Sequence, residues 1–318
     1  MEGPAVVVGQ LGRDLVLEVD RLPRGGRTTT VHRRRELLGG RAAHQAGAML
    51  QLGCPAALVG VLGDDAAGDQ VLAAAVVDGL WISGIARRRG VPTALLVDLV
   101  EAGGSRRLLE DVPDRTRLTA ADVAAAAPLI QRARAVVVAL DQPGEAVRAA
   151  LAVAARHALR VADGGPPDEA ASEVLASVQV LRADVGAAGL WVGGELRGLD
   201  DVRAAAAQLC AAGPRVVSLD AGADGVLTVW REPGGRLREE LVPVLGEDPA
   251  GDGDAVVAAL TVALLRGEDP GTAAWQAGAA AGLSGSRLGS GPRLDAAQVT
   301  RLAADARPDA GALRQRPR

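Results

Sequence analysis

The residues best suited to chemistry lie late in the chain, in the stretch GEDPAGDGDAVVAAL from Gly246 to Leu260. Its first nine positions hold three glycines and four acidic residues, and apolar residues at helical spacing follow. The N–H groups that begin a helix are unpaired and partly positive, and glycines let a ligand come close to them. Such a helix start binds phosphate. Asp254 could then act on a group beside the phosphate, or it could only cap the helix.

Composition excludes several classes of protein. A length of 318 residues fits one large α/β domain or two small ones, and an apolar content of 48% permits a sizeable core. The sequence has no run of 18 or more apolar residues, so we expect no membrane span. The start, MEGPAVVVGQ, is acidic where a signal peptide would be basic, so we expect a cytoplasmic protein. A net charge of -4 argues against nucleic acid as a partner.

Short β-branched runs alternate with Ala-rich helical patterns along most of the chain. This alternation predicts an α/β fold, with a mostly parallel central sheet that is covered by helices on both faces. The predicted strands are 5–9, 56–62, 135–140, 159–163, 178–183, 215–220 and 225–230, and the predicted helices are 41–51, 68–77, 120–132, 144–157 and 200–212.

Two segments depart from this rhythm. Residues 14–37 and 93–111 alternate polar and apolar positions around turns, which predicts antiparallel strands with one solvated face. Together they would form a small sheet that stands off the main domain as a lid. The end of the chain, 306–318, contains Pro and Arg and is expected to be frayed.

Four stretches of the chain combine glycines with polar residues at strand ends or helix starts. The first is VVVGQLGRD, which ends a strand and places Asp14 just beyond it. The others are GGRAAHQAGAMLQLG from Gly39, GVLGDDAAG from Gly60 and DPAGDGD from Asp248. In this order they resemble the ribokinase family, also called the PfkB carbohydrate kinases, whose patterns are GGKGANQAxAAxxLG, GxxGxDxxG and DTxGAGD. A fifth stretch, LSGSRLGS, is similar to the family's LSxTRxGA. The resemblance covers nearly the whole chain. It implies a single domain with a ribokinase-like three-layer fold and a small β-sheet lid.

The resemblance also implies an activity, which is transfer of the γ-phosphate of ATP to an alcohol group of a sugar. Asp254 matches the base that accepts the hydroxyl proton, and the N–H groups of Gly251, Asp252 and Gly253 match the anion hole. The residues implied to bind the substrate are Asp14, Gly39, Gly40, His44 and Asp141.

On the nucleotide side, the resemblance implies roles for Asp184, Asp220, Gly222, Gly225 and Gly278. The implied cofactors are ATP and Mg²⁺, with K⁺ at a monovalent-cation site that includes Asp248. The implied substrate is a sugar or a nucleoside. The lid segments match a lid that excludes water and that also builds a homodimer in ribokinases.

Several positions depart from the family pattern. His44 stands for Asn, Asp184 for Asn, Ala187 for Glu, Asp220 for Thr and Asp252 for Ala. The sequence has no Asn, Lys, Phe or Tyr, whose codons are AT-rich, so codon bias accounts for the Asn replacements. It does not account for the other three. A carboxylate that points into a phosphate site would repel ATP, by about 4 kcal/mol at 4 Å and an effective dielectric constant of 20.

These departures leave alternatives open. One is a degenerate family member that binds a sugar or nucleotide without catalysis, as a sensor or partner. Another is an extra Mg²⁺ held by Asp184, Asp220 and Asp252, since Mg²⁺ prefers oxygen ligands. The arginines at 33–35 could lie on a solvated lid face or could receive a substrate phosphate, as in a phosphofructokinase-like member.

Overall fold

The computed structural model describes residues 3–245, 253–284 and 293–308, apart from the side chain of Glu169. Within these ranges, thirteen strands form a nine-stranded sheet and a separate four-stranded sheet. No helix in the described part of the chain is long and apolar enough to cross a membrane. Residues 1–2, 246–252, 285–292 and 309–318 lie outside the described ranges.

The nine-stranded sheet has the order β13-β12-β11-β10-β9-β8-β1-β4-β5. Its strands pair in parallel, except that β12 is antiparallel to β11 and to β13. The strands are β1 Ala5–Val8, β4 Ala56–Gly63, β5 Trp81–Arg88, β8 Ala135–Ala139, β9 Leu159–Asp163, β10 Val180–Ala183, β11 Val216–Asp220, β12 Val226–Arg231 and β13 Leu237–Val242.

Helices cover both faces of this sheet, as the alternation of elements requires. The helices are α1 Arg41–Gln51, α2 Ala66–Val77, α3 Ala120–Ala125, α4 Ala127–Ile130, α5 Gly144–Val153, α6 Ala171–Ser177, α7 Val185–Val192, α8 Leu199–Ala212, α9 Gly253–Leu265, α10 Pro270–Ser284 and α11 Ala296–Ala306. One core cluster lies between the sheet and α1, α2, α9, α10 and α11. The second lies between the other face of the sheet and α3–α8. The molecule therefore has three layers, as expected.

Alanine-rich helices take the place of aromatic packing in this core. Only 1% of the residues are aromatic, so the core is built from Ala, Val and Leu. In α10 the apolar positions are almost all Ala or Gly, and a Cβ at Gly278 would lie 2.4 Å from Cγ1 of Val242 on β13. Small residues therefore let α10 pack closely on the sheet.

The four-stranded sheet has the order β3-β2-β6-β7 and forms the expected lid. Its strands are β2 Gly12–Val19, β3 Val31–Gly39, β6 Leu95–Glu101 and β7 Arg106–Asp111. Each hairpin is antiparallel, as the alternating pattern predicted. The two hairpins join through a parallel pairing of β2 with β6. Every residue of β7 is exposed, whereas β2 buries alternate residues.

Some predicted boundaries were wrong. The helix expected over 120–132 is two short helices, because Pro128 lies in the first turn of α4 and cannot donate a backbone hydrogen bond. The helix expected over 144–157 ends at Val153. The sequence reasoning also missed β5, β13, α6, α7, α10 and α11. The predicted frayed tail begins at residue 306, where α11 ends, and its last ten residues lie outside the described ranges.

Candidate functional site

The carboxyl ends of the parallel strands bring the candidate residues to one edge of the large sheet. Asp163 ends β9, Asp184 follows β10 and Asp220 ends β11. Asp141 follows β8, and Asp254 is the second residue of α9. Ligands of open α/β sheets bind outside this edge. The fold therefore places the predicted site residues where a ligand would be expected.

The paired glycines position the start of α1 against the lid strand that carries Asp14. A Cβ at Gly39 would lie 1.9 Å from Oδ1 of Asp14, so a side chain there would displace the carboxylate. Gly40 has a φ of 90°, which disfavours any residue with a Cβ. A Cβ at Gly40 would also lie 2.5 Å from the carbonyl oxygen of Gln10. Both positions therefore favour glycine for structural reasons, and both lie near Asp14, a predicted substrate residue.

His44, on α1, joins the two carboxylates for which the sequence predicted chemistry. Its Nε2 lies 2.7 Å from Oδ2 of Asp14, and its Nδ1 lies 3.4 Å from Oδ2 of Asp254. The side chains are 21%, 9% and 19% exposed for His44, Asp14 and Asp254. A neutral imidazole donates from one nitrogen only, whereas the protonated ring donates from both. The geometry therefore favours an imidazolium between two carboxylates.

The pKa values follow from this arrangement. Burial by itself would lower the pKa of His44, but the hydrogen bonds and charges of Asp14 and Asp254 outweigh burial and raise it to about 10. Burial would raise the pKa of Asp254, but its hydrogen bond and charge interaction with His44 lower it below the ordinary 3.8. Asp254 is therefore ionised at neutral pH and is able to accept a proton.

Gln45 connects Asp254 to a buried carboxylate that the sequence reasoning missed. Its Nε2 donates to Oδ1 of Asp254 at 2.9 Å and to Oδ2 of Asp163 at 2.8 Å. Both Gln45 and Asp163 are fully buried. Since the two N–H groups of one amide nitrogen reach both carboxylates, Gln45 helps to fix the orientation of the Asp254 carboxylate.

Two arginines that were also missed lie against Asp163. Arg182 donates from Nη1 to Oδ1 of Asp163 at 3.2 Å, and Arg41 has Nη1 3.6 Å from Oδ2. Burial raises the pKa of Asp163, and the charges of Arg182 and Arg41 counteract part of that effect. Burial would lower the pKa of Arg41, but nearby carboxylates, Asp163 and Asp141 first among them, raise it. The charge of Asp141 thus acts on Arg41, and its role as a substrate contact stays a prediction.

On the predicted nucleotide side, two carboxylates hold the backbone. Asp184 caps α7 by accepting a hydrogen bond from the N–H of Ala187 at 2.7 Å. Asp220 accepts one from the N–H of Gly222 at 2.8 Å. Burial raises the pKa of Asp220, and the charge of Asp184 adds to this, so the two carboxylates are near each other.

The predicted nucleotide glycines differ in their surroundings. Gly222 has a φ of 61° and Gly225 a φ of 107°, so both occupy the turn after β11 in conformations that favour glycine. Gly278 is buried in α10 against Val242 and has a packing role there.

Part of the predicted anion hole lies outside the described residues. This applies to Gly251 and Asp252, and Asp248 of the predicted cation site lies outside them as well. Gly253 begins α9, with Asp254 next to it. Within the described ranges, no group of three or more His, Cys, Asp or Glu side chains is arranged to hold a metal ion.

Four residues of the site were not predicted from the sequence. Arg41 and Gln45 lie in the same glycine-led stretch as His44, but their types suggested no chemistry there. A signal did exist for the other two, since Asp163 and Arg182 are charged residues with little exposure in short, mostly apolar strands. A charged side chain in such a strand needs a partner, and the neighbouring strand supplies it.

Comparison with known proteins agrees with the fold. The sequence model of the pfkB family of carbohydrate kinases matches residues 4–297. A ribokinase of Schizosaccharomyces pombe (strain 972 / ATCC 24843) is 30% identical over 164 residues, which is 49% of this chain and 51% of that protein. The chain thus spans about half the length of this relative.

Solved structures share the fold. The structure of Arabidopsis thaliana ribokinase complexed with ribose and ATP has a TM-score of 0.75 at 22% identity, covering 95% of this chain and 99% of that one. A putative ribokinase from Agrobacterium tumefaciens has a TM-score of 0.78 at 21% identity, covering 95% of this chain and 98% of that one. With a family model matched across nearly its whole length and a three-layer fold with a lid, the chain belongs to the pfkB family of carbohydrate kinases.

Proposed function

We propose that this protein phosphorylates a sugar hydroxyl with ATP, with Asp254 as the base. The observation that carries the proposal is the meeting of Asp14 and Asp254 at one edge of the sheet, although 240 positions separate them in sequence. One belongs to the lid and the other to the start of α9, so a substrate between lid and domain would reach both.

The proposed reaction uses these two carboxylates differently. Asp254 accepts the proton of the substrate hydroxyl, whose oxygen bonds to the γ-phosphorus of ATP. The bond between that phosphorus and the bridging oxygen breaks, and ADP leaves. Phosphoryl transfer needs little help from a strong base, so the lowered pKa of Asp254 is compatible with this role. The backbone N–H groups at the start of α9 support the phosphate.

Asp14 supports the sugar-binding part of the proposal. Its Oδ2 faces His44, and its Oδ1 is buried without a hydrogen-bond partner in the described part of the chain. A buried acceptor without a donor is costly, and a sugar hydroxyl is a donor that would satisfy it. Gly39, Gly40 and Asp141 border the same space and remain proposed substrate contacts.

Mg²⁺ fits the nucleotide side as an ion that arrives with ATP. It binds to proteins through one or two carboxylates together with substrate phosphates, and Asp184 and Asp220 are two carboxylates whose charges interact. When bound, Mg²⁺ would neutralise charge on the phosphates. The proposed K⁺ site at Asp248 and the Mg²⁺ alternative that includes Asp252 involve residues outside the described ranges.

The lid is the proposed dimer surface. Leu108 and Leu109 on β7 are 59% and 53% exposed, and Val31 on β3 is 42% exposed. Exposed apolar residues on an edge strand favour pairing with another chain. The arginines at 33–35 on β3 are drawn partly to Glu18 and Glu36 of the lid, which favours a solvated face over a phosphate site.

The second candidate is a family member that binds sugar or nucleotide without catalysis. It is favoured by His44, which pairs with both Asp14 and Asp254 where a substrate hydroxyl would bind. It is also favoured by Ala187, which replaces the Glu of the family pattern. The two candidates differ in turnover. ADP formation with Mg²⁺ and K⁺ should be measured across pentoses, hexoses, sugar phosphates and nucleosides, together with thermal stabilisation by each compound. Sugar-dependent ADP formation supports the kinase, and stabilisation without ADP formation supports the binding protein.

A further inference from the structure

A row of polar side chains crosses the sheet beneath the start of α9. Arg182 on β10 is in register with Asp163 on β9 and with Ser218 on β11. Ser218 in turn accepts a hydrogen bond from the hydroxyl of Thr228 on β12 at 3.1 Å. Val180, two residues before Arg182, packs in the core cluster that includes α9, so the row lies on the α9 face.

The guanidinium of Arg182 lies against the first residue of α9. A Cβ at Gly253 would be 2.4 Å from Nη1, 2.5 Å from Nη2 and 2.6 Å from Cζ of Arg182. The planar group therefore packs on the Cα of Gly253, and a side chain at position 253 would have to displace it. The Arg182 side chain is 11% exposed, and its Nη1 is held by Asp163. The guanidinium is thus held between the carboxylate of Asp163 and the backbone of Gly253.

Arg182 has carboxylate partners, because it pairs with Asp163 and its charge also acts on Asp220, but its place at the start of α9 carries a cost. The start of a helix is partly positive, so a cation next to Gly253 is disfavoured there. Asp163 already receives Gln45 and lies near Arg41, so other groups offset part of its charge. Arg182 therefore adds positive charge where the helix already supplies it. A group with several negative charges would be stabilised by both, and a guanidinium suits the oxygens of a phosphoryl group.

We propose that Arg182 is a further catalytic residue, whose guanidinium contacts the γ-phosphoryl group as it moves from ATP to the sugar hydroxyl and ADP leaves. This inference rests on the proposed kinase activity. Arg182 exchanges no proton: the proton still passes to Asp254, and the guanidinium stabilises charge on the phosphoryl oxygens. The alternative is that Arg182 serves only as the counter-ion of Asp163.

Arg182→Gln and Arg182→Lys distinguish the two roles, with Arg160→Gln as the matched control. Arg160 lies on β9 near its amino end, away from the site, and bonds Gln179. We expect Arg182→Gln to lower kcat by about 10²–10³-fold without changing the KM of the sugar. Arg182→Lys keeps the positive charge, so its kcat should lie between those of Arg182→Gln and the wild type. If Arg182→Gln does not fold, Arg182→Lys takes its place in the test. Arg160→Gln should retain full activity.

A binding measurement gives a readout that does not need turnover. Calorimetric titration with MgATP and with MgADP should show that Arg182→Gln weakens MgATP binding more than MgADP binding, because the γ-phosphate is the group contacted. Equal weakening of both, or of neither, would overturn the inference.

The double variant Asp163→Asn with Arg182→Gln tests the counter-ion role. If its kcat returns to that of Asp163→Asn alone, Arg182 only neutralises Asp163 and the inference is wrong. If the wild type phosphorylates a sugar and Arg182→Gln does so with unchanged kcat, the inference fails while the proposed function stands. If the wild type phosphorylates none, the proposed function fails, and the MgATP and MgADP titrations still decide whether Arg182 contacts phosphate.

Discussion

Replacing His44 with alanine tests the bridged carboxylates at the centre of the site. In the wild type, one imidazolium offsets the charges of Asp14 and Asp254 at 2.7 and 3.4 Å. The variant leaves two largely buried carboxylates without this cation. Removing one partner of a buried ion pair costs about 3–5 kcal/mol. We therefore expect the free energy of unfolding at pH 7 to fall by this amount.

The pH dependence supplies the sharper test. The pKa of His44 rises from 6.5 to about 10 on folding, so its contribution to stability is fully present below pH 6.5 and lost as pH rises through 10. At about 1.4 kcal/mol per pH unit, the difference in unfolding free energy between wild type and His44→Ala should be about 4 kcal/mol at pH 7, about 2 at pH 8.5 and under about 1 at pH 10.

Few other side chains of this protein change their charge over the pH range of the test. It has no Lys and no Tyr, so few groups titrate between pH 8 and 10. Burial raises the pKa of Cys54, and burial raises that of Cys210 to about 11. Both thiols are shared by wild type and variant, so their contributions cancel in the difference. Urea denaturation at the three pH values measures it directly.

His32 provides the control. It pairs with Asp20 at 3.1 Å, but the two side chains are 52% and 80% exposed. His32→Ala should change the free energy of unfolding by no more than about 0.5 kcal/mol at any of these pH values. A His44→Ala effect that is below about 1 kcal/mol at pH 7, or that does not change with pH, would refute the imidazolium bridge.

Two further substitutions test the supports of the site. Gly40→Ala should lower the free energy of unfolding by more than Gly26→Ala, since both glycines have positive φ but, of the two, only Gly40 lacks room for a Cβ. We expect the strain at Gly40 to cost about 1–3 kcal/mol or more, measured by urea denaturation. Equal losses in the two variants would contradict the steric argument. Gln45→Leu removes the amide that joins Asp163 to Asp254, so kcat should fall by about tenfold or more while MgATP still binds, and wild-type kcat would show that the amide does not orient the base.

Much of the fold could be predicted because local patterns of apolar and polar residues determine its strands and helices. Continuous apolar strands separated by Ala-rich helices required a parallel sheet with two covered faces, and both hairpins of the lid follow from alternating residues. The parallel pairing of β2 with β6 could not be predicted, because it depends on how two distant hairpins meet. By contrast, Pro128 in the sequence already indicated that the helix expected over 120–132 would be interrupted.

The site was predicted unevenly for a similar reason. Asp14, His44 and Asp254 lie in stretches with glycine-rich turns, which stand out along the chain. Asp163 and Arg182 belong together only through the register of β9 and β10, which no single stretch reveals. The contact of His44 with both carboxylates could not be predicted, because it depends on how the lid and α9 meet around α1.

Transfer of radiolabelled γ-phosphate from ATP tests the proposed function most directly. Wild type and Asp254→Asn are incubated with each sugar, and the label is followed into sugar phosphate and inorganic phosphate. The Asn side chain keeps the size of Asp254 but cannot accept the proton, so we expect labelled sugar phosphate from wild type alone, with sugar binding retained in both. Labelled sugar phosphate at equal rates from both proteins, or none from wild type with any sugar, would contradict the assignment of Asp254 as the base of a sugar kinase.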